Sequence, residues 1–216
     1  MRSSDIIINF KKDPDKGLHE IYWGNDIFVL CNEDHGIYDC ERYVKQMNGI
    51  LKKVNGLSKA VNVLYNYHGN VVSLIFYEDS RLINATSIIK IKYNEANTVS
   101  EENVIDGSTM NLIVKYTYEY DQIGRIIRKT EYRDYKIEPT VITTYSYIDD
   151  SDIVRYMEEY LYSDPVKFTS KTWFDREGHM LYRIDVDAFE RTICTHKYKY
   201  NKKKDSYRCK TIEIDF

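Results

Sequence analysis

A chain of 216 residues, 43% of them hydrophobic, falls in the range of one large domain or two small ones and has enough apolar content for a buried core. Its charges nearly cancel, 31 basic against 34 acidic residues for a net charge of -3, which excludes a dominant field for collecting nucleic acid or an anionic membrane. Tyrosine is in excess, 21 Tyr beside 7 Phe and 2 Trp with only 3 Pro, a composition suited to strands with half-buried faces.

The first ten residues, Met1 to Phe10, lack the long apolar run and small-residue cleavage site of a secretory signal, and no window approaches the length of a membrane span. Cys31, Cys40, Cys194 and Cys209 form no Cys-x-x-Cys pair and are too few for a disulfide scaffold. The expected location is therefore the cytoplasm, with reduced thiols.

Residues 1–60 form a non-repeating beginning. Ile6 to Phe10 and Ile21 to Asn32 read as strands, the latter reversed at Gly24-Asn25-Asp26. Residues 39–56 carry two readings. Asp39 caps a helix with an apolar face of Tyr43, Met47, Ile50, Leu51 and Val54, ending at Asn55-Gly56; alternatively, Asn48-Gly49 turns a hairpin. The helix is favoured as a cover for one face of a long sheet, although Gly49 costs it about 1 kcal/mol against Ala.

From residue 61 to 216 the chain repeats. Tyr67, Tyr93, Tyr120, Tyr147, Phe174 and Tyr200 each precede a turn signal, at separations of 26, 27, 27, 27 and 26 residues. Alternation leads into the rungs, as in Leu112, Val114, Tyr116, Tyr118 and Tyr120 with Lys115, Thr117 and Glu119 between them. Period two puts the aromatics on one face of an antiparallel strand. Turn formers follow each rung, including His68-Gly69-Asn70, Asn94-Glu95-Ala96-Asn97, Asp121-Gln122-Ile123-Gly124, Asp149-Asp150-Ser151 and Asp175-Arg176-Glu177-Gly178. A second alternating run then returns, clearest in Met180, Tyr182, Ile184 and Val186. The fold class is mainly β, a long antiparallel meander of hairpins with a short N-terminal helix. The polar stretch Asn94 to Ser108 reads as a long loop inside one continuous domain.

Tyr118-Glu119-Tyr120-Asp121-Gln122-Ile123-Gly124-Arg125-Ile126 resembles the Y-x-Y-D-x-x-G-R-L core of the tyrosine-aspartate (YD, or RHS) repeat, and Trp173-Phe174-Asp175-Arg176-Glu177-Gly178-His179-Met180 is a weaker copy. The resemblance is specific in two units and extends to six by periodicity. It implies hairpins lined up into sheets, which large bacterial toxins of that family wind into a shell; this chain is too short to enclose anything of that kind. A looser resemblance, on Asn48-Gly49-Ile50-Leu51, is to MORN-like hairpin repeats, some of which serve as toxin antidotes.

Catalytic signatures are missing: no Gly-rich phosphate loop, no His-Glu-x-x-His and no Gly-x-Ser-x-Gly. Neither an enzyme nor a bound cofactor is expected. His196, between Cys194 and Tyr198, reads as a packed or hydrogen-bonded histidine rather than a metal ligand. Lys197, Lys199, Lys202, Lys203, Lys204, Arg208 and Lys210 read as an edge hairpin guarded by charge, which leaves nucleic acid an improbable partner. The contact residues nominated are Tyr118, Tyr120, Tyr145, Tyr147, Tyr198 and Tyr200, the repeated aromatic face. The resemblance implies a bacterial immunity protein, an antidote that binds a toxin domain encoded nearby. A carbohydrate- or surface-binding module and a structural relic of a larger repeat protein are the rivals, and two open sheet edges would permit a homodimer.

Overall fold

The computed structural model describes residues 11–13, 18–23, 26–34, 37–45, 51–53, 60–78, 81–133, 136–162, 168–202 and 206–213. Every regular element among them is a strand, and the chain divides into two compact units, Ser4–Lys115 and Tyr116–Phe216, the latter taking in Met1–Ser3. No helix among the described residues is long and apolar enough to cross a membrane. The antiparallel meander predicted from period two is the observed architecture.

In the first unit lie β1 (Lys11–Asp13), β2 (Leu18–Trp23), β3 (Asp26–Asp34), β4 (Ile37–Lys45), β5 (Leu51–Lys53), β6 (Ala60–Tyr65), β7 (Val71–Tyr77), β8 (Ala85–Tyr93) and β9 (Val99–Asp106). Strands β1 to β5 pair in sequence order and β6 to β9 do the same, while β4 serves two strands along one side, β5 at Tyr43–Lys45 and β6 at Ile37–Asp39. Alternation places the core on one face: Leu30, Val61, Val63, Val71, Leu74, Phe76, Ile89 and Ile91 form a single buried cluster. Cross-strand register explains its continuity, since Val63 lies opposite Leu74 and Leu74 opposite Ile89.

Two expectations fail in this unit. The helix over 39–56 is replaced by the β4–β5 hairpin, with Tyr43 opposite Lys53 and Lys45 opposite Leu51. Asp39 and Tyr43 lie in β4 and Leu51 in β5, while Met47, Ile50, Val54 and the Asn48-Gly49 and Asn55-Gly56 pairs lie outside the described residues. The run Ile37-Tyr38-Asp39-Cys40 has weak helix propensity, and pairing on both sides of β4 outweighs the cap. The loop read over Asn94–Ser108 contains β9. Its polar sequence conceals alternation, because Val104 faces Ile89 and the fully buried Glu102 faces Ile91, whereas Glu101 reaches outward to Lys92 at 2.7 Å. The strand expected at Ile6–Phe10 lies outside the described residues; Trp23 does stand opposite Asp26, as the predicted reversal requires.

β10 (Leu112–Tyr120) crosses the boundary between units. It leads into β11 (Ile126–Arg133), β12 (Val141–Tyr147), β13 (Val154–Leu161), β14 (Phe168–Phe174), β15 (Met180–Asp187), β16 (Thr192–Asn201) and β17 (Ser206–Glu213), each antiparallel to the next from β11 onward. Bulges after the tight turns decide which side chains share a face. Phe174 stands opposite Met180, but Trp173 stands opposite Tyr182, so Leu181 is the extra residue. Met180 therefore lies on the tyrosine face and Tyr182 on the other, which corrects the single alternating run read from Met180 to Val186.

Candidate functional site

The turns are built as their sequence dictates. Asp121 accepts the backbone N–H groups of Ile123 at 3.1 Å and Arg125 at 2.8 Å, while Gly124, at a φ of 86°, donates to the Asp121 carbonyl at 3.1 Å. Asp175 repeats the pattern with Glu177, His179 and Gly178. In the first unit Asn66 does the same with His68, Asn70 and Gly69. The opposite rim uses this device where no Gly marks it: Asp187 accepts from Phe189 and Arg191, and Glu190 takes a φ of 60°. Asp187-Ala188-Phe189-Glu190-Arg191 is Asp-x-x-Gly-Arg with Glu in the glycine position, which is why it escaped the sequence reading. These hydrogen bonds outweigh the burial that opposes them and hold Asp121, Asp175 and Asp187 below the usual carboxylate range.

Two rung residues fasten their repeat to the previous one. The Tyr93 hydroxyl donates to the Val71 carbonyl at 2.8 Å, and the Tyr147 hydroxyl to the Ile126 carbonyl at 2.6 Å. Arg125 adds a second tie, donating through Nη1 to the carbonyls of Asp149 at 2.7 Å and Ser151 at 2.8 Å, with its guanidinium 4.5 Å from the Tyr147 ring centroid. At the next rung, Phe174 is buried and has no hydroxyl to give.

Of the six nominated tyrosines, Tyr118 is core, 6% exposed. Tyr120, Tyr145, Tyr147, Tyr198 and Tyr200 are half-buried. Tyr147 is spent on its staple, and Tyr200 stacks on His179 at 3.7 Å while facing Tyr207. The structure thus spreads them over three strands, β10, β12 and β16, without gathering them at one point.

The opposite face of the second unit carries a feature that sequence alone does not reveal. Directly opposed residues form one row across five strands: Tyr156, Trp173, Tyr182, Lys197 and Lys210. The first three rings stand 5.2 and 5.4 Å apart, tilted, within the range of favourable aromatic pairs. Beyond them Lys197 faces Lys210, and Lys199 faces Arg208. All four cations are exposed, and none forms an ion pair among the described residues. Like charges opposed across a strand pair cost stability, so this quartet is not there to hold the hairpin together. Burial, the Glu158 charge and a hydrogen bond to Glu158 push the Tyr156 phenol up to about 12, so it remains a neutral donor.

On the tyrosine face a polar cluster occupies the same strands. Asp185 accepts from Ser170 at 2.6 Å and from Arg183 Nε at 2.9 Å, and lies 3.3 Å from His196 Nε2. His196 is hydrogen-bonded, in line with its sequence reading, with Nδ1 3.0 Å from Thr211 Oγ1. Among the described residues no group of three or more His, Cys, Asp or Glu is arranged to hold a metal ion.

No family model matches the chain, and no curated protein matches its sequence. Solved structures do align with it at low identity. The chain is similar to part of the Tc holotoxin pore of Photorhabdus luminescens bearing a TccC3 mutation, at 12% identity and a TM-score of 0.46 over 89% of this chain and 9% of that one. It is likewise similar to part of the TcdB2-TccC3 complex, at 12% identity and a TM-score of 0.47 over 89% of this chain and 10% of that one. A protein of unknown function from Bacteroides fragilis aligns at 12% identity and a TM-score of 0.19, over 71% of this chain and 90% of that one. The chain spans about a tenth of the length of the first two.

Proposed function

We propose that the protein is a non-enzymatic binding module that neutralises a toxin domain by covering it, with the aromatic and cationic face of β13–β17 as its contact surface. The observation that carries this reading is the row Tyr156, Trp173, Tyr182, Lys197 and Lys210. Tyr, Trp and Arg are the residues that most often anchor protein interfaces, and a rigid sheet presents them at little entropic cost. Four exposed cations beside the rings, with no ion pair among the described residues, select an acidic partner surface and speed its approach. The tyrosine-aspartate resemblance supplies the toxin context as an analogy of fold.

The test is a tagged pull-down from the native cells at moderate salt, with mass spectrometry of what stays bound, run beside a Lys197→Glu/Lys210→Glu variant. The expected result is one stoichiometric acidic protein with a toxic domain, lost with the charge reversal. Capture of a partner that both versions hold equally would remove the surface from the proposal. Capture of nuclease-sensitive nucleic acid, or of nothing, would overturn the antidote reading.

A further inference from the structure

Cys209 is an exposed free thiol in β17, directly opposite Tyr198 on the tyrosine face. Its Sγ lies 4.0 Å from His196 Nδ1 and 3.7 Å from Thr211 Oγ1. Behind the imidazole, Asp185 sits 3.3 Å from Nε2 and is itself held by Ser170 and Arg183, with Arg183 Nη2 donating to Ser170 Oγ at 2.7 Å. A carboxylate at Nε2 favours the proton there and leaves Nδ1 as the acceptor for the Thr211 hydroxyl at 3.0 Å, with the thiol beside both. The hydrogen bonds of Ser170, Arg183 and His196 outweigh the burial of Asp185 and hold its carboxyl below the ordinary range, so the anion that orients His196 is present at neutral pH. Tyr198 is pushed up by burial first and then by the charge of Cys209, to which its hydroxyl is hydrogen-bonded. The groups sharing the sulfur's face are thus His196 and Tyr198 from β16, Arg183 and Asp185 from β15, and Thr211 and Tyr207 from its own strand.

We propose that Cys209 is a nucleophilic thiol that exchanges with small disulfides of the glutathione class, with His196 as its base and Asp185 as the positioning residue. The Cys209 proton passes by way of the Thr211 hydroxyl to His196 Nδ1 as the sulfur attacks one sulfur of the disulfide. A Cys209 mixed disulfide forms, the original S–S bond breaks, and the departing thiolate takes the proton back from His196. The Cys209 sulfur is oxidised and the departing sulfur reduced, so no further oxidant is needed. This chemistry lies on the face opposite the proposed contact surface and does not depend on that reading.

The experiment follows mixed-disulfide formation with oxidised glutathione by peptide mass spectrometry, in the full chain and in a synthetic peptide spanning β17. At about pH 7 the folded protein is expected to react at Cys209 roughly tenfold faster than the peptide, and His196→Gln to remove that advantage. At about pH 10, above the range in which thiols in general need a base, the variant and the wild type should converge, an outcome that a merely structural role for His196 would not produce. Tyr198→Phe, which preserves the packing, should slow the reaction a few-fold. Equal rates for folded protein and peptide at neutral pH, or a His196→Gln rate equal to wild type, would overturn the proposal.

Discussion

Replacing Arg125 with alanine tests whether neighbouring repeats are fastened through this one side chain. Arg125 donates to two carbonyls of the following turn, and the bond to Ser151 is part-buried while that to Asp149 is exposed. A hydrogen bond from a charged donor contributes about 1.5 kcal/mol where water is partly excluded, and roughly half that where water can replace it. The cation over the Tyr147 ring, 4.5 Å from its centroid, adds about 0.5 kcal/mol. The ion pair to Asp121 lies within the same turn, and without it the carboxylate still keeps its two backbone N–H donors, so it adds little to this sum. Arg125→Ala should therefore cost about 2 to 3 kcal/mol, a fall in Tm of roughly 5 to 10 °C for a chain of this size. Arg125→Lys keeps the charge but loses the planar fork, and should forfeit about half as much. Urea and thermal unfolding followed by circular dichroism and tryptophan fluorescence read both variants. A loss below about 0.5 kcal/mol for the alanine variant would refute the argument, because water would then be an adequate substitute for the guanidinium.

Gly124→Ala should lose about 1 to 2 kcal/mol, because its φ is 86° while nothing lies within 4 Å of the added methyl group, leaving backbone strain as the only cause. Glu190→Gly on the other rim should do the reverse and gain about 1 kcal/mol, since Glu190 holds a φ of 60°; a lower urea midpoint would contradict the equivalence of the two turns. Acid should weaken the fold through its turn aspartates. Asp106, whose hydrogen bonds from Ser108 and Thr109 bring it down to about 2, is joined by Asp121, Asp175 and Asp187. A folded pKa below the unfolded value means that the unfolded chain binds more protons, so their stabilisation is complete above about pH 4 and is lost as pH falls toward about 2. A urea midpoint that stays flat across that window would count against it, and Asp106→Asn should shallow the slope. Lys197→Ala, by relieving its opposition to Lys210, should leave stability unchanged or raise it by about 0.5 kcal/mol, whereas a substantial loss would show that the lysines serve the hairpin.

The period of 26 or 27 residues was legible because each repeat announces itself twice, by an aromatic rung and by an Asp or Asn that closes the turn. Gly69, Gly124 and Gly178 take the positive φ that their place in the pattern demands. What misled the reading of residues 39–56 was local: one capping residue and a helical spacing of apolar side chains, against a pairing partner, β6, that arrives some twenty residues later in the chain. β9 was missed for the opposite reason, since its buried Glu102 looks like a loop residue until Ile91 is set against it. The aromatic and cationic row was beyond reach because it depends on bulges, and a bulge of one residue exchanges the two faces of everything after it. Tyr156, Trp173 and Tyr182 belong to three strands with no common spacing; only register makes them neighbours.

The missing hydroxyl at Phe174 sets its seam apart from the two that Tyr93 and Tyr147 staple. A phenol bound to a carbonyl fixes how far one strand may slide along another, as Tyr147 does for β11 and β12. Buried apolar contact resists separation but is nearly indifferent to sliding, because a methylene left behind is replaced by the next. Between β13 and β14 the rung therefore supplies adhesion without indexing. When couplings act only between neighbours, the weakest of them decides where a sheet yields. Shear along the strands, whether from a pulling force or from a partner that grips both ends, should meet less resistance at that line than at the seams Tyr93 and Tyr147 staple.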